Sequence, residues 1–547
     1  MISVKKLSIS APDGTTIVSD ISLNLRAGSC LALVGESGAG KTLTAKALLG
    51  LLPEGLRCNA EVLRRFGEDA REYSEFQLRN IRGRQAGFIV QEALSALDPL
   101  RKIGQEISET IEIHQLLPAE KRRDRVLELL RQQNIPDPEL RLGQRSHELS
   151  GGQRQRALIA SVLAGEPRII IADEPTASLD TILAAKQLDI LHDLKLQGYG
   201  ILLISHDLAA VAELADDIIV MQSGRVMEQG TAADVLARPK SNYTQRLLAS
   251  ARFEGLGLAG FESDNDTVKD SIDDAARKFD QADRVDAEVI LCAERVSKRY
   301  SSSGLMALSG TSMHLNRGEV LGIAGESGSG KSTLARLLLA LEKPSAGTVT
   351  LFNEPWSEVS EKQRRQRRSL VQWVPQDPLS SFNPRWRVRR ILSEALAQKK
   401  LDPRAESQYS SHENRELELE RLLTMVNLSN DLLDRRPREL SGGQRQRIAI
   451  ARALAVNPQI LICDEAVSAL DVTVQVTILQ LLQDLRVKLG LSIIFITHDL
   501  GVIRHFSDRV LIMHSGSIVE EGVTAELFDS PKHDYTRELL AASLHYG

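Results

Sequence analysis

Two stretches have the residue types that hold a phosphate chain: Gly35-Glu36-Ser37-Gly38-Ala39-Gly40-Lys41-Thr42 and Gly325-Glu326-Ser327-Gly328-Ser329-Gly330-Lys331-Ser332. Glycines at Gly35, Gly38 and Gly40, and at Gly325, Gly328 and Gly330, let backbone N–H groups wrap phosphate oxygens where a helix begins. Lys41 and Lys331 supply a cation for the terminal phosphates. The hydroxyls of Thr42 and Ser332 suit a Mg²⁺ ion, and Thr333 adds a further hydroxyl to the second site. One such match can be a glycine-rich turn with an incidental lysine. Two, each between an apolar run and a helical pattern, point to nucleotide phosphates.

Two carboxylate pairs follow, Asp173-Glu174 and Asp464-Glu465, each closing an apolar run. The aspartates are placed to hold Mg²⁺ through its shell, and the glutamates to polarise an attacking water. His206 and His498 follow two further apolar runs, in Ser-His-Asp and Thr-His-Asp. A lone histidine there is more often a satisfied cap. Recurrence at matching positions favours a γ-phosphate contact and orientation of the water. Between these motifs, Leu-Ser-Gly-Gly-Gln-Arg-Gln-Arg occurs unchanged at 149–156 and 440–447. Ser150, Gly151, Gly152 and Gln153, like Ser441, Gly442, Gly443 and Gln444, put a hydroxyl and bare N–H groups at a helix start, which attracts phosphate. Ser150 is the expected N-cap of its helix.

An identical octamer means a long internal repeat, and the elements needed to position these residues recur in one order. In the first half they are a strand at 31–34, the glycine loop, a helix at 43–52, a charged amphipathic helix at 119–133, and strands at 169–172 and 201–204. The second half has strands at 320–324, 460–463 and 493–496. The tails match too: Tyr243-Thr244-Gln245-Arg246-Leu247-Leu248-Ala249 against Tyr535-Thr536-Arg537-Glu538-Leu539-Leu540-Ala541. Serial strand–loop–helix units imply an α/β fold with mainly parallel sheets. The expected domains are 1–250 and 287–547. Between them 251–286 carries Glu262, Asp264, Asp266, Asp270, Asp273 and Asp274, an acidic tether with room for a short helix at 273–279.

With 547 residues, 42% apolar and 26% charged, the composition is that of a soluble protein of two ordinary domains. No apolar run approaches the ~18 residues of a membrane helix, and Met1 to Lys6 lack a signal-peptide core. A cytosolic chain is expected, with any membrane role reached through a partner. A net charge of −5 offers no general attraction to nucleic acid. Cys30, Cys58, Cys292 and Cys463 are too scattered for a metal or disulfide framework, and Cys30 and Cys463 read as small buried hydrophobes. The basic run Arg364-Arg365-Gln366-Arg367-Arg368 reads as a solvated helix, with a weaker counterpart at 79–84.

Taken together, the motifs resemble an ABC transporter ATPase with two fused nucleotide-binding domains. Leu-Ser-Gly-Gly-Gln is that family's signature, Gln91 and Gln376 match its glutamine loop, and Ser178-Leu179-Asp180 and Ala469-Leu470-Asp471 match the turn after its carboxylate pair. Gln376-Asp377-Pro378-Leu379-Ser380-Ser381-Phe382-Asn383-Pro384 and Pro531-Lys532-His533-Asp534-Tyr535-Thr536 resemble the dipeptide, oligopeptide and nickel importer ATPases more narrowly. The first half keeps a looser Gln91-Glu92-Ala93-Leu94-Ser95-Ala96-Leu97-Asp98-Pro99.

The resemblance implies two tandem P-loop domains, each a mainly parallel sheet core with a helical subdomain carrying the signature. It implies ATP hydrolysis with Mg²⁺, Gln91 and Gln376 serving metal and water, and head-to-tail closure in which each signature completes the opposite phosphate loop. It also implies two membrane permeases, non-identical here because the two halves have drifted, and an extracytoplasmic solute-binding protein. The permeases would meet 91–101 and 376–387 at the cytoplasmic face of the inner membrane, and the cargo would be peptides, glutathione-like molecules, nickel or a metal chelate. Tyr300 falls where the family stacks an aromatic on adenine, but its counterpart lies near Ala11, so a weaker first site is expected. Many relatives carry a cysteine cluster near the C-terminus. None of these four cysteines lies beyond Cys463, so no iron–sulfur centre is expected. The competing reading is a soluble tandem ATPase acting on ribosomes or DNA. The acidic connector, the acidic pI and the importer-type stretch at 376–384 weigh against it.

Overall fold

Cys30–Val34 is buried at every position, and successive side chains serve different cores. Leu31 and Leu33 join one apolar cluster, while Cys30, Ala32 and Val34 join another. A strand covered on both faces has no polar side, which explains the unbroken apolar run. The computed structural model describes residues 1–90, 96–149, 151–176, 181–251, 288–300, 304, 306–399, 412–467, 470 and 472–544. Gln91, Ser150, Ser178-Leu179-Asp180, Ala469, Asp471 and the connector with its expected helix lie outside them. The chain divides into two units, Met1–Arg252 and Phe253–Ser543.

In the first unit a six-stranded sheet runs in the order Arg225–Thr231, Asp217–Gln222, Cys30–Val34, Gly200–Ser205, Ile169–Asp173, Ala86–Ile89. All neighbours pair in parallel except Arg225–Thr231, which is antiparallel to Asp217–Gln222. The second unit repeats it as Val371–Val374, Ile460–Asp464, Ser492–Ile496, Val320–Ala324, Arg509–His514, Ser517–Val523. Register then decides where chemistry can happen. Val34 lies opposite Ser205, and Ile204 opposite Asp173. In the second unit Ile323 and Asp464 both lie opposite Ile496, and Cys463 opposite Val374. The residues that follow these positions therefore emerge together at the carboxyl edge of a parallel sheet, where α/β folds bind ligands.

A second, antiparallel sheet covers one face of each unit. In the first unit it is built from Ile2–Ser10, Thr16–Leu25, Arg57–Asn59, Val62–Arg65 and Glu68–Asp69. Ile2, Leu7 and Ile9 from it share a core with Leu48 and Leu49 of the helix Lys41–Leu49. The other face carries helices Ile103–Ile113, Ala119–Gln132 and Gly151–Leu163. Ile103, Ile107 and Ile111 fall four apart, so one stripe of the first helix is buried against that core. Among the described residues, no helix is long and apolar enough to cross a membrane.

Two expectations change. The helix after the glycine loop starts at Lys41 and ends at Leu49, because Gly50 takes a left-handed φ of 65° and closes it. The basic run at 364–368 is not simply solvated. Arg364 is buried, and Arg364 and Arg368 donate to the carbonyls of Leu339 and Ala340, just beyond the helix Lys331–Leu338. In the first unit Arg65 donates to Ala47 O, Leu48 O and Ala70 O, and Arg82 to Leu49 O and Gly50 O. A helix ends in carbonyls that lack intrahelical donors and carry partial negative charge, and guanidinium groups satisfy both needs.

Candidate functional site

Each glycine loop wraps the first turn of a helix. Gly35 has φ 149°, and a Cβ there would lie 2.1 Å from Met221 O; at Gly325 (φ 148°) it would lie 2.2 Å from Met513 O. No side chain fits that approach, so the loop can close over its neighbouring strand only as glycine. Gly38 and Gly40, with Gly328 and Gly330, take positive φ as well. Lys41 is buried, its Nζ bonded to Gly35 O (2.5 Å) and Glu36 O (3.0 Å). Lys331 Nζ bonds Gly325 O (2.6 Å) and Glu326 O (2.7 Å) in the same way.

The next residue of each loop faces the neighbouring carboxylate. Thr42 Oγ1 donates to Asp173 Oδ1 at 3.1 Å, and Ser332 Oγ to Asp464 Oδ1 at 3.2 Å. Thr333 follows in the first turn, half-buried. Burial pushes the Asp173 and Asp464 carboxyls above the ordinary range, with the hydroxyls working the other way. An oxygen-only pair of hydroxyl and desolvated carboxylate suits a hard divalent cation that takes its remaining ligands from phosphate and water. Among the described residues no cluster of three or more His, Cys, Asp or Glu could hold a metal.

Glu174 and Glu465 stand at the same edge. Their N–H groups still donate to the adjacent strand, at Ile204 O and Ile496 O, both at 2.8 Å. Their φ values are 47° and 48°, left-handed and unfavourable for a side chain with a Cβ. Such backbone costs about 1–3 kcal/mol and concentrates at functional sites. His206 Nδ1 lies 3.2 Å from Glu174 Oε1, and His498 Nδ1 3.5 Å from Glu465 Oε1. Gln376 Nε2 donates to the other oxygen, Glu465 Oε2, at 2.5 Å. Burial opposes charge on both glutamates, yet the imidazoles and the loop lysines outweigh it and hold the carboxyls below their usual range. Burial likewise opposes charge on both imidazoles, and the carboxylates outweigh it and raise them. The aspartate after each histidine caps the next helix: Asp207 accepts from Ala209 N and Ala210 N, and Asp499 from Val502 N. Those caps hold the histidine loops in place.

The structure therefore brings Lys41, Thr42, Asp173, Glu174 and His206 to one edge, and Lys331, Ser332, Asp464, Glu465, His498 and Gln376 to the matching edge. The repeated octamer opens helices Gly151–Leu163 and Gly442–Leu454. Ser441 caps its helix: its Oγ accepts from Gln444 N, and Gln444 Oε1 accepts from Ser441 N. Gly152 and Gly443 pack against the following helix, where a Cβ would meet Leu183 at 2.9 Å and Val474 at 2.4 Å. Gly151 is exposed and Gln153 half-buried. Tyr300 follows strand Val289–Arg299 as Ala11 follows Ile2–Ser10. Its hydroxyl pairs with Glu342 at 3.2 Å, and Lys298 Nζ lies 5.4 Å from its ring centroid.

One arrangement had no sequence signal. Arg452 of the second signature helix donates to Ser381 O and Ser381 Oγ, both at 3.1 Å, and stacks 4.9 Å from the Phe382 ring, seizing the stretch after Gln376. Its counterpart in the first octamer's helix is Ser161, which turns back to Leu158 O. Ser161 and Ala96 there line a cavity of about 500 Å³. Only alignment of the two halves on the octamer would have exposed the exchange.

Comparison with known proteins agrees with this architecture. A family model described as ABC transporter matches residues 18–177 and 308–468, and one described as the oligopeptide/dipeptide transporter C-terminal region matches 519–546. The peptidoglycan transport ATP-binding protein YejF of Agrobacterium fabrum is 38% identical over 550 residues, spanning 100% of this chain and 96% of that protein. The glutathione import ATP-binding protein GsiA of Shigella flexneri is 37% identical over 544 residues, spanning 96% and 86%. The solved structure of an RNase-L inhibitor shares the fold at TM-score 0.59 and 20% identity, over 94% of this chain and 90% of that one. An ATP-binding edge built twice, with a match to the family in each half, settles the matter: this chain belongs to the ABC transporter family, as an ATPase with its nucleotide-binding domain present twice.

Proposed function

We propose that this chain energises the import of peptides or small peptide-derived solutes, hydrolysing ATP at two sites. The observation that carries the reading is the match at 519–546 to the oligopeptide/dipeptide transporter C-terminal region, beside a phosphate loop, carboxylate pair and histidine in each half. The relatives named for peptidoglycan transport and glutathione import support the same cargo class; nickel and metal chelates are the remaining candidates. The domains are 1–250 and 287–547, joined by the acidic tether 251–286.

The loop N–H groups and Lys41 or Lys331 bind the phosphates, and Tyr300 stacks on adenine in the second site only. Thr42 with Asp173, and Ser332 with Asp464, would hold Mg²⁺, as would Gln91 and Gln376. When bound, that ion neutralises charge on the phosphate oxygens. Glu174 and Glu465, kept ionised by their neighbours, accept a proton from the attacking water. His206 and His498 sit on those carboxylates and orient the water against the γ-phosphate. Ser150, Gly151, Gly152 and Gln153, with Ser441, Gly442, Gly443 and Gln444, complete the opposite sites when the domains close head to tail. The partners are two non-identical membrane permeases, contacted through 91–101 and 376–387, and an extracytoplasmic solute-binding protein. The chain works at the cytoplasmic face of the inner membrane. The test is purification of the tagged chain from detergent-solubilised membranes. Two co-purifying multispanning proteins are expected, whereas recovery with ribosomes would overturn the importer reading.

A further inference from the structure

The two matching tails do more than repeat. Tyr243 opens the helix region Asn242–Ala251, and Tyr535 the helix Asp534–Leu544; both are buried. Each reaches back across some 200 residues to a phosphate loop. The Glu36 N–H donates to Tyr243 Oη at 3.2 Å, and the Glu326 N–H to Tyr535 Oη at 3.1 Å.

The peptide involved is the one that matters. The Glu36 N–H shares a peptide plane with Gly35 C=O, which accepts from Lys41 Nζ at 2.5 Å. In the second unit the Glu326 N–H shares its plane with Gly325 C=O, bonded to Lys331 Nζ at 2.6 Å. Each plane is thus held at its carbonyl by the loop lysine and at its amide by the tail tyrosine. Rotating the plane would carry the lysine's acceptor away, and the tyrosine opposes that rotation.

The tyrosines are themselves secured. Glu228 accepts from Lys240 N and Ser241 N at 2.9 and 3.0 Å, and Glu520 from Lys532 N and His533 N at 2.8 and 3.0 Å. Tyr243 N then bonds Ser241 Oγ, and Tyr535 N bonds His533 Nδ1. The same clamp arises twice with different residues at its middle rung. Packing alone would need only the ring, whereas here the hydroxyl is aimed in both units.

We infer that Tyr243 and Tyr535 are positioning residues for nucleotide binding: their hydroxyls lock the first peptide of each phosphate loop, and so the loop lysine, before ATP arrives. The inference rests on the phosphate-loop reading above. A pre-ordered loop has less ordering to undergo on binding, and that saving is shared by bound ATP and the transition state.

The experiment compares the full-length Tyr243→Phe/Tyr535→Phe and Lys41→Ala/Lys331→Ala proteins with the parent. In the tyrosine variant the KM for ATP should rise about ten-fold, the value of one hydrogen bond, with kcat within about two-fold. Without nucleotide, amide exchange at Glu36 and Glu326 should speed up by a similar factor. The lysine variant should lose ATP binding. Phe retains ring packing, so a purely structural tyrosine would leave KM and loop exchange unchanged, and that result overturns the lock. Parent-like ATP binding by the lysine variant would overturn the phosphate-loop reading and the lock with it.

Discussion

Changing both glutamates to their amides, Glu174→Gln with Glu465→Gln, removes two charges and almost no volume. In the second unit one carboxylate oxygen accepts from Gln376 at 2.5 Å and the other faces His498 at 3.5 Å. An amide keeps one acceptor oxygen, so the side chain stays seated while its NH₂ turns toward the second neighbour. On the proposed mechanism the lost group is the base for the water's proton. General-base catalysis is worth about 10²–10⁴-fold, or about 3–5 kcal/mol of barrier. Steady-state phosphate release should fall by that factor. ATP binding, measured by equilibrium dialysis, should persist because the loops and lysines are untouched. The imidazoles also lose the charge that raises them, so His206 and His498 should titrate at lower pH when followed by NMR. Phosphate release within about three-fold of the parent, with ATP still bound, would refute the assignment of these glutamates as bases.

The same carboxylate–imidazole pairs set a pH signature. The glutamates' pKa values are lowered, so their contribution to stability is present above 4.5 and lost as pH falls through the folded value. The histidines' are raised, so theirs is complete below 6.5 and lost as pH rises through the folded value. Urea midpoints measured across pH should show both contributions between 4.5 and 6.5, and the double Gln variant should flatten that profile; an unchanged profile would contradict the pairing. Lys331→Ala leaves the site without an aromatic at Ala11, so it should bind ATP more weakly than Lys41→Ala, whose remaining site keeps Tyr300; equal affinities would rule out unequal sites. Arg65, 4% exposed, holds three carbonyls, so Arg65→Ala should destabilise the first unit by about 3 kcal/mol, read as an earlier unfolding transition in denaturant. An unmoved transition would show those carbonyls to be satisfied by water.

Much of the candidate site was legible because its chemistry is local in sequence. A phosphate loop is eight consecutive residues, and a carboxylate pair needs only the strand before it. Duplication then separated signal from chance, and the family resemblance read from those motifs agrees with matches in both halves. Contacts formed across the chain were hidden. Arg368 reads as one charge of a solvated run until Leu339 and Ala340 are placed beneath it by the fold. The tail tyrosines were visible as a repeat, but their target lies 207 and 209 residues away. The left-handed backbone of Glu174 and Glu465 was hidden for another reason. Glycine or asparagine would advertise such a conformation, whereas these glutamates are held in it by their own N–H bonds to the adjacent strand.

Arg452 and Ser161 tie the two signature helices to different partners. In the second unit a displacement of the segment after Gln376 is carried into the signature helix by two hydrogen bonds and a stacked ring. In the first unit Ser161 bonds Leu158 O within its own helix and lines a cavity of about 500 Å³. A partner pressing on 376–387 would therefore move the second signature helix directly through Arg452.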